Sequence, residues 1–280
     1  MGRTLLVFQL CCGTLCALGS ASPVRGQEGA GTDLQRLSDE SRARADGIEV
    51  NAAVGDRTTL ATVHPNPLMK YTDVPRGIEM ATLWVWQDGG RPVALGKVEA
   101  YRVKEGSKWL YCFASASTGL VDAKWTAGRR FQARKPGVAW ATIDGPAPHE
   151  TAAGRLRQMK ELFQRFTATA RDEALKTSDE LRPLARPLHE YSSPKQGVLQ
   201  GVLCGFAANG TNPDVVVALE VAGAANEKDA RKLWRYAVIG MTASGISVKL
   251  DKAEVYTRPY SRAPQDYDTW TWFREGVPQK

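Results

Sequence analysis

Two stretches of the chain resemble each other at a separation of about 120 residues. Residues 67–71 read Pro-Leu-Met-Lys-Tyr and residues 187–191 read Pro-Leu-His-Glu-Tyr. Further identities follow in the same order once short insertions are allowed in predicted turns, and the paired residues are Pro67/Pro187, Tyr71/Tyr191, Gly77/Gly197, Pro92/Pro213, Glu99/Glu220, Trp109/Trp234 and Tyr111/Tyr236. Chance similarity between antiparallel strands is the alternative. The ordered series favours a duplicated unit, and we expect residues 64–125 and 184–249 to superpose.

Each stretch has the pattern of antiparallel hairpins. Short apolar runs, rich in β-branched and aromatic residues, are separated by turns that contain glycine. The predicted strands cover residues 80–86, 93–101 and 109–116 in the first stretch, and residues 198–207, 215–221 and 233–241 in the second.

A helix is predicted in front of each set of strands. Between the two stretches, apolar residues recur at spacings of three and four, which is typical of a helix that packs one face on a core; these residues are Leu156, Met159, Leu162, Phe163 and Phe166. The bases on the same helix, which include Arg155, are predicted to be solvated. A shorter and weaker helix is predicted at 33–44. The predicted fold class is therefore α+β, with two diverged repeats that each pack a curled antiparallel sheet on a helix, cystatin-like in outline.

The N-terminus has the pattern of a secretory signal peptide. Arg3 precedes an apolar run over residues 4–17, and small residues follow up to Pro23. The run is shorter than the roughly 20 residues that span a bilayer, although an uncleaved anchor is the alternative. The predicted organisation is a signal peptide at 1–26, a leader and weak helix at 27–59, a first repeat at 60–145, a helix plus second repeat at 146–268, and a C-terminal tail at 269–280. The predicted location is the periplasm, the cell envelope or the extracellular space.

Charge and cysteine content exclude two classes of protein. Removal of residues 1–26 lowers the formal charge from +7 to +5. Nucleic-acid-binding proteins usually have a concentrated basic stripe, and this mild positive charge does not indicate one. No integral membrane segment is expected after signal cleavage. Cys112 and Cys204 are the cysteines that remain, too few for a disulfide scaffold. They either bridge the two repeats or stay as separate buried thiols.

The sequence contains little that indicates catalysis. Its three histidines are His64, His149 and His189, and their spacing matches no common zinc motif. We therefore expect no metal and no cofactor. His189 is the one weak catalytic candidate, as the centre of a hydrolase of saccharides or esters together with Asp73 or Glu99. A packing position explains His189 equally well, because the aligned residue is Met69.

Tryptophan content suggests carbohydrate binding, because flat indole rings stack on sugar faces. Among the eight tryptophans, Trp84, Trp109 and Trp234 are predicted in the core, where large apolar rings contribute most. Trp270 and Trp272 are the weak candidates for ligand binding, because they lie near the C-terminus beside acidic residues.

Four segments resemble a family of uncharacterised exported proteins from planctomycete-type bacteria, and these segments are 83–96, 154–166, 181–191 and 210–221. The resemblance implies export and a shared fold, and it provides no functional residues. The function that the sequence favours is therefore an exported, non-enzymatic binding or structural module. A carrier of small molecules or lipids in a cleft between the repeats and the hydrolase centred on His189 are the alternatives.

Overall fold

The computed structural model describes residues 27–55, 57–104, 106–126, 128–172, 176–208, 210–223, 232–260 and 268–276. The predicted signal peptide lies outside these residues. Neither of the helices described below is long and apolar enough to cross a membrane.

Among the described residues, the first half consists of one α-helix followed by nine strands. In chain order they are α1 (Gln27–Asp46), β1 (Ile48–Val54), β2 (Arg57–Leu60), β3 (Thr62–Val63), β4 (Met69–Asp73), β5 (Ile78–Asp88), β6 (Arg91–Val103), β7 (Gly106–Ser115), β8 (Val121–Trp125) and β9 (Arg130–Gln132). The helix α1 is longer than the short helix predicted over residues 33–44.

Within the described ranges, the second half also contains one α-helix that is followed by strands. After β10 (Ala141–Thr142) come α2 (Ala152–Phe163), β11 (Phe166–Asp172), β12 (Thr177–Pro183), β13 (His189–Ser193), β14 (Val198–Ala207), β15 (Val215–Ala222), β16 (Leu233–Gly240), β17 (Gly245–Leu250), β18 (Ala253–Arg258) and β19 (Trp270–Arg274).

Every strand pair in the described part of the chain is antiparallel, as the sequence predicted. The second half contributes to a sheet ordered β10-β16-β15-β14-β12-β11-β17-β18, with β13 also paired to β14. In the first half the strands form two sheets, β2-β1-β8-β9 and β19-β7-β6-β5-β3, with β4 paired to β5. The result is a mostly antiparallel β-structure with two helices and a curled, half-barrel-like sheet.

The strands of the two halves pair in the same register. Met69 faces Leu83 on β5, and His189, which lies 120 residues later, faces Leu203 on β14. Each of these pairs is followed by a bulge at the same place, after Tyr71 and after Tyr191. We call two residues corresponding when they occupy the same place in these pairing patterns.

Each half also receives an edge strand from the other half. Strand β10 follows the first half but pairs with β16, whereas β19 follows the second half but pairs with β7. Ala141 faces Tyr236 and Phe273 faces Tyr111, so Ala141 and Phe273 correspond. The segment predicted as a C-terminal tail therefore contributes a strand to the sheet of the first half.

Three large apolar cores hold these layers together, and a fourth, small cluster contains Tyr71, Ile78 and Ala81. The first contains Leu37 of α1 and Trp84 of β5, and the second contains Met159 of α2 and Phe206 of β14. The third core lies between the sheets of the two halves, where Leu95 of β6 and Val216 of β15 are both buried. Alternate residues of a strand point to opposite faces, so each central strand contributes both to its own helix-covered core and to the shared core.

Two predictions about α2 are wrong. Phe166, predicted on the apolar face of the helix, begins β11 because the helix ends at Phe163. Arg155 is only 6% exposed rather than solvated, and its Nε donates to Gln200 Oε1 at 2.9 Å. Its Nη1 donates to the carbonyl oxygens of His149 and Glu150 at 3.0 and 2.6 Å. The guanidinium is thus buried together with acceptors that satisfy it, as a buried charge requires.

Both cysteines that follow the predicted signal peptide are free thiols. Cys204 belongs to the second core, whereas Cys112 packs against the third core. Burial raises the pKa of the Cys204 thiol to about 12, so this thiol stays protonated and unreactive near neutral pH.

Two corresponding glycines allow a matched stability test. Gly77 and Gly197 have φ of 71° and 70°, a conformation that costs a residue with a side chain about 1–2 kcal/mol. A Cβ at Gly77 has no neighbour within 4 Å, whereas a Cβ at Gly197 would lie 2.7 Å from Gly223 O. Gly77→Ala should therefore lower the free energy of unfolding by about 1 kcal/mol, and Gly197→Ala should lower it further. Urea denaturation measures the free energy of unfolding of the two variants. Equal losses would contradict the close contact expected between a Cβ at residue 197 and Gly223 O.

Candidate functional site

A cleft of about 720 Å³ opens where the chain before β10 runs beside β16 and β18. Both halves contribute to its walls, because β10 follows the first half and β16 and β18 belong to the second. Aromatic rings and charged side chains both line it, and they include Trp140, Tyr236, Tyr256, Tyr260, Lys135 and Asp268. Small-molecule sites are concave and roughly 300–1,000 Å³ in volume, so this cleft has the size of a ligand site.

The cleft is open because two of its wall residues are small. Ala141 and Val238 line it, and their corresponding residues are Phe273 and Phe113. In the first half these two rings pack on Trp125, with centroid separations of 5.0 and 5.3 Å. The same place in the fold is therefore filled by rings in one half and open in the other.

Trp140 on the cleft wall is held by two arginines. The guanidinium carbons of Arg91 and Arg235 lie 4.8 and 4.9 Å from the centre of the indole ring. Cations at this distance are attracted to the ring face, more strongly when water is excluded. Trp140 itself is half-buried and packs against the third core, as the corresponding Trp272 does.

Glu220 fixes the two arginines in turn. Its side chain is 0% exposed, and Arg91 Nε and Nη2 each donate to it at 3.0 Å, one to each carboxylate oxygen. Arg235 Nε donates to Oε2 at 2.8 Å and Tyr191 Oη donates to Oε1 at 2.9 Å. A buried carboxylate is stable only with such a complete set of donors, and this set leaves the arginines little freedom to move away from Trp140.

The corresponding position in the first half lacks the arginines. Glu99 accepts a hydrogen bond from Tyr71 Oη at 2.8 Å, as Glu220 does from Tyr191. The residues that correspond to Arg91 and Arg235 are Asn212 and Leu110. Burial raises the pKa of Glu99, and the nearby Lys97 opposes that rise. The arginine pair therefore distinguishes the cleft side of the molecule from its counterpart.

The cations at the cleft are already engaged. Lys135 Nζ and Arg134 Nε lie 3.0 and 2.8 Å from the carboxylate of Asp268, and the bond from Lys135 lowers the pKa of that carboxyl. Arg258 Nη2 donates to the carbonyl oxygens of Thr242 and Ser244. Two cations, Lys135 and Arg258, and one carboxylate, Asp268, line the cleft, so its lining carries an excess of positive charge.

His189 lies outside this cleft and does not contact the acids considered as its partners. It is half-buried at the boundary of the two halves, where Gln87 Nε2 lies 3.0 Å from its Nε2 and the ring of His64 lies 5.1 Å away between centroids. Glu99 is bonded to Tyr71, and Asp73 accepts from Asn212 Nδ2 at 3.3 Å.

The polar group around His189 has an apolar counterpart. The residues that correspond to His64, Gln87 and His189 are Leu184, Ala207 and Met69. Polar side chains therefore occur at one of the two corresponding places and not at the other.

The structure separates the two tryptophans predicted as ligand contacts. Trp270 is 2% exposed and offers no free ring face, whereas Trp272 is half-buried and packs against the third core. Trp140 was missed as a candidate, although it is the residue that corresponds to Trp272. Alignment of residues 138–146 with residues 270–278 could have identified it, because both segments have tryptophan at the third position.

Among the described residues, no group of three or more His, Cys, Asp and Glu side chains is placed to hold a metal ion. No protein-family model matches the chain, and no curated protein or solved structure is significantly similar to it.

The environment of His189 predicts a dependence of stability on pH. Gln87 Nε2 donates to Gly90 O at 2.7 Å and has one further hydrogen for His189 Nε2, which must then be unprotonated. Burial, followed by the nearby His64, lowers the pKa of His189 to about 4. The unfolded chain takes up a proton here below about pH 6.5, so the free energy of unfolding should fall as the pH drops from 6.5 towards 4.

The variant His189→Met introduces the side chain of the corresponding residue. Urea denaturation between pH 7 and pH 4.5 should show a shallower loss of stability for this variant than for the wild type. An unchanged slope would show that His189 does not titrate between those values.

Proposed function

We propose that this chain is an exported, non-enzymatic binding module, made of two diverged copies of one α+β unit, and that it binds a small polar molecule in the cleft beside Trp140. The observation that carries the proposal is the difference between the two halves at one place in the fold. Ala141 and Val238 leave a cleft where Phe273 and Phe113 fill the corresponding space. Protein cores are normally packed to high density. A cleft present in only one of the two halves therefore indicates that it binds a ligand.

The matching registers of the central strand pairs, which differ by one extra irregularity between Trp86 and Gln87, support the duplication, and so do reciprocal contacts between the halves. The backbone of Gly90 packs against Ser192 O, and a Cβ at Gly210 would lie 3.8 Å from Thr72 O. These two contacts are related by the same shift of 120 residues. Residue i of one half contacts residue j of the other and the reverse also holds, which is the property of a twofold interface.

Polar contacts also cross that interface. Gln196 Nε2 donates to Asp88 Oδ2 at 2.9 Å, and Arg76 lies 3.8 Å from Asp214. A helix covered by a curled antiparallel sheet in each copy fits the cystatin-like outline.

The proposal of export depends on the N-terminal sequence. A basic residue, a short apolar run and small residues before Pro23 are the features of a signal peptide. The resemblance to exported bacterial proteins supports the same location.

Binding is favoured over the other functions by what the cleft contains. An acyl chain in the cleft would remove the Lys135–Asp268 ion pair from water without replacing its hydration, which is costly. A polar molecule with one apolar face suits a cleft whose walls contain both aromatic rings and polar groups. The cleft walls thus favour a small polar ligand over a lipid.

Filling the cleft tests this proposal. Ala141→Phe introduces the residue found at the corresponding position, so the variant should fold, and its ring should occupy the cleft. Saturation-transfer NMR with a mixture of monosaccharides, disaccharides, nucleosides and amino acids should detect binding to the wild type and a loss of that binding in the variant.

Thr58→Phe is the matched control, because Thr58 is an exposed strand residue that does not line the cleft. It should retain the binding of the wild type. The absence of binding to the wild type, or equal binding to Ala141→Phe, would refute the cleft as a ligand site.

A further inference from the structure

We infer that the molecule bound in the cleft carries a single carboxylate, which Arg258, Lys135 and the hydroxyl of Tyr256 hold at one end of the cleft. This inference rests on the proposed function and adds the class of ligand. It follows from three properties of the cleft: polar residues at places that are apolar in the first half, an excess of positive charge in the lining, and a wall that suits an uncharged ring.

Tyr256 occupies a place that is held by a phenylalanine in the first half. Phe131 faces Ala123 on β8, and Tyr256 faces Val248 on β17. Phe131 and Tyr256 correspond, because β8 pairs with β1 as β17 pairs with β11. Phe131 belongs to the first core, and its ring centroid lies 5.8 Å from that of Phe113. The open half therefore has a hydroxyl group where the filled half has an apolar ring.

Arg258 is also a polar residue at a place that is apolar in the first half. It faces Ile246 on β17. The corresponding residue is Ala133, which is buried in the first core and whose backbone N–H donates to Val121 O on β8 at 2.8 Å. Nη2 of Arg258 donates to two backbone carbonyl oxygens of the loop after β16, and these uncharged acceptors fix the position of the guanidinium. A guanidinium therefore accompanies the open cleft and is missing from its filled counterpart.

The two cations of the lining lie close to the hydroxyl of Tyr256. Burial raises the pKa of Tyr256, and the positive charges of Arg258 and Lys135 oppose that rise. The hydroxyl stays protonated near neutral pH and can donate a hydrogen bond. Lys135 shares the carboxylate of Asp268 with Arg134. Two cations and one carboxylate line the cleft, so the lining has a charge of +1, which a ligand with one negative charge neutralises through charge-assisted hydrogen bonds.

The remaining wall suits an uncharged ligand body that contains a ring. Ala141, Tyr236 and Val238 line the cleft. In the first half, the rings of Phe273 and Phe113 occupy the corresponding space. A six-membered ring of the ligand therefore fits beside these residues, while its carboxylate lies at the polar end of the cleft.

The charge of the lining favours a carboxylate over a phosphate ester. A phosphate monoester carries about 1.5–2 negative charges at neutral pH, which is more than the lining neutralises. Its second charge would also lie near the carboxylate of Asp268. A ligand with a single carboxylate matches the lining more closely.

Two sources provide small carboxylates with a ring, and matched pairs of compounds distinguish them. Acidic sugars are represented by glucuronate and its neutral partner glucose. Acylated amino acids are represented by N-acetyltyrosine and its neutral partner N-acetyltyrosine amide. Isothermal titration calorimetry of the full chain at pH 7 should give saturable binding for the acid of at least one pair, about tenfold or more tighter than for its neutral partner. In the saturation-transfer mixture described above, the amino acids carry the same group.

Variants place the carboxylate at the polar end of the cleft. Tyr256→Phe introduces the residue found at the corresponding Phe131, so it should fold, and it should weaken binding of the acid about tenfold. Lys135→Gln removes one charge from an exposed side chain and should weaken binding of the acid while leaving the neutral partner unaffected. Lys124→Gln is the matched control, because Lys124 is also exposed and lies 3.4 Å from the carboxylate of Glu49; its affinity should stay within about twofold of the wild type. Near-ultraviolet circular dichroism shows whether each variant is folded.

The possible outcomes separate this inference from the proposed function. If neutral compounds bind as tightly as their acids, and Ala141→Phe abolishes that binding, the ligand class is wrong and the cleft remains a binding site. Tighter binding of glucose 6-phosphate than of both acids would refute a single carboxylate. Equal affinities of Lys135→Gln and Lys124→Gln for the acid would refute its placement beside Lys135. If neither acid binds, the inference is wrong, and the saturation-transfer experiment then decides the proposed function separately.

Discussion

The exchange of edge strands between the two halves is the constraint on which the rest of the structure depends. Strand β10 completes the sheet of the second half at β16, and β19 completes the sheet of the first half at β7. Unpaired sheet edges expose backbone donors and acceptors that must be satisfied or protected. Each half therefore relies on a strand from the other half, and the shared core between the sheets follows from that arrangement.

The exchange also positions the cleft. The strand that crosses from the first half brings Trp140 and Ala141 to the last strands of the second half. The reciprocal strand brings Trp272 and Phe273 to the corresponding place, where the ring of Phe273 stacks on Tyr111 at 4.9 Å between centroids. The sizes of two side chains, Ala141 on the crossing strand and Val238 on β16, thus separate a candidate ligand site from a filled core.

The sequence indicates how the strands within each half pair. It gives little indication of β10 and β19, the strands that cross between the halves. Tyr71 and Glu99 recur as Tyr191 and Glu220 because each pair forms the same buried hydrogen bond, and a buried polar pair tolerates few replacements. Gly77 and Gly197 recur because both adopt positive φ. Residues with such specific requirements make the internal similarity visible.

The crossing strands have no requirement of that kind. Strand β10 spans two residues and β19 spans five, and their partners are distant in sequence, so no local pattern indicates the pairing. Only Trp140/Trp272 and Pro146/Pro278 are shared between the segments 138–146 and 270–278. The buried position of Arg155 was missed for a related reason. Helical periodicity identifies the apolar face but does not show that an arginine at its edge finds acceptors in the loop before the helix.

A crystal structure of the chain measures the central claim most directly. Superposition of residues 64–125 on 184–249 by Cα position alone should give the same strand order, with Trp109 and Trp234 on the same face and with β19 and β10 on matching edges. In that superposition, the ring of Phe273 should fall within the space that is open beside Ala141. A different strand order, opposite faces for the two tryptophans, or a cleft closed by Trp140 would contradict the account.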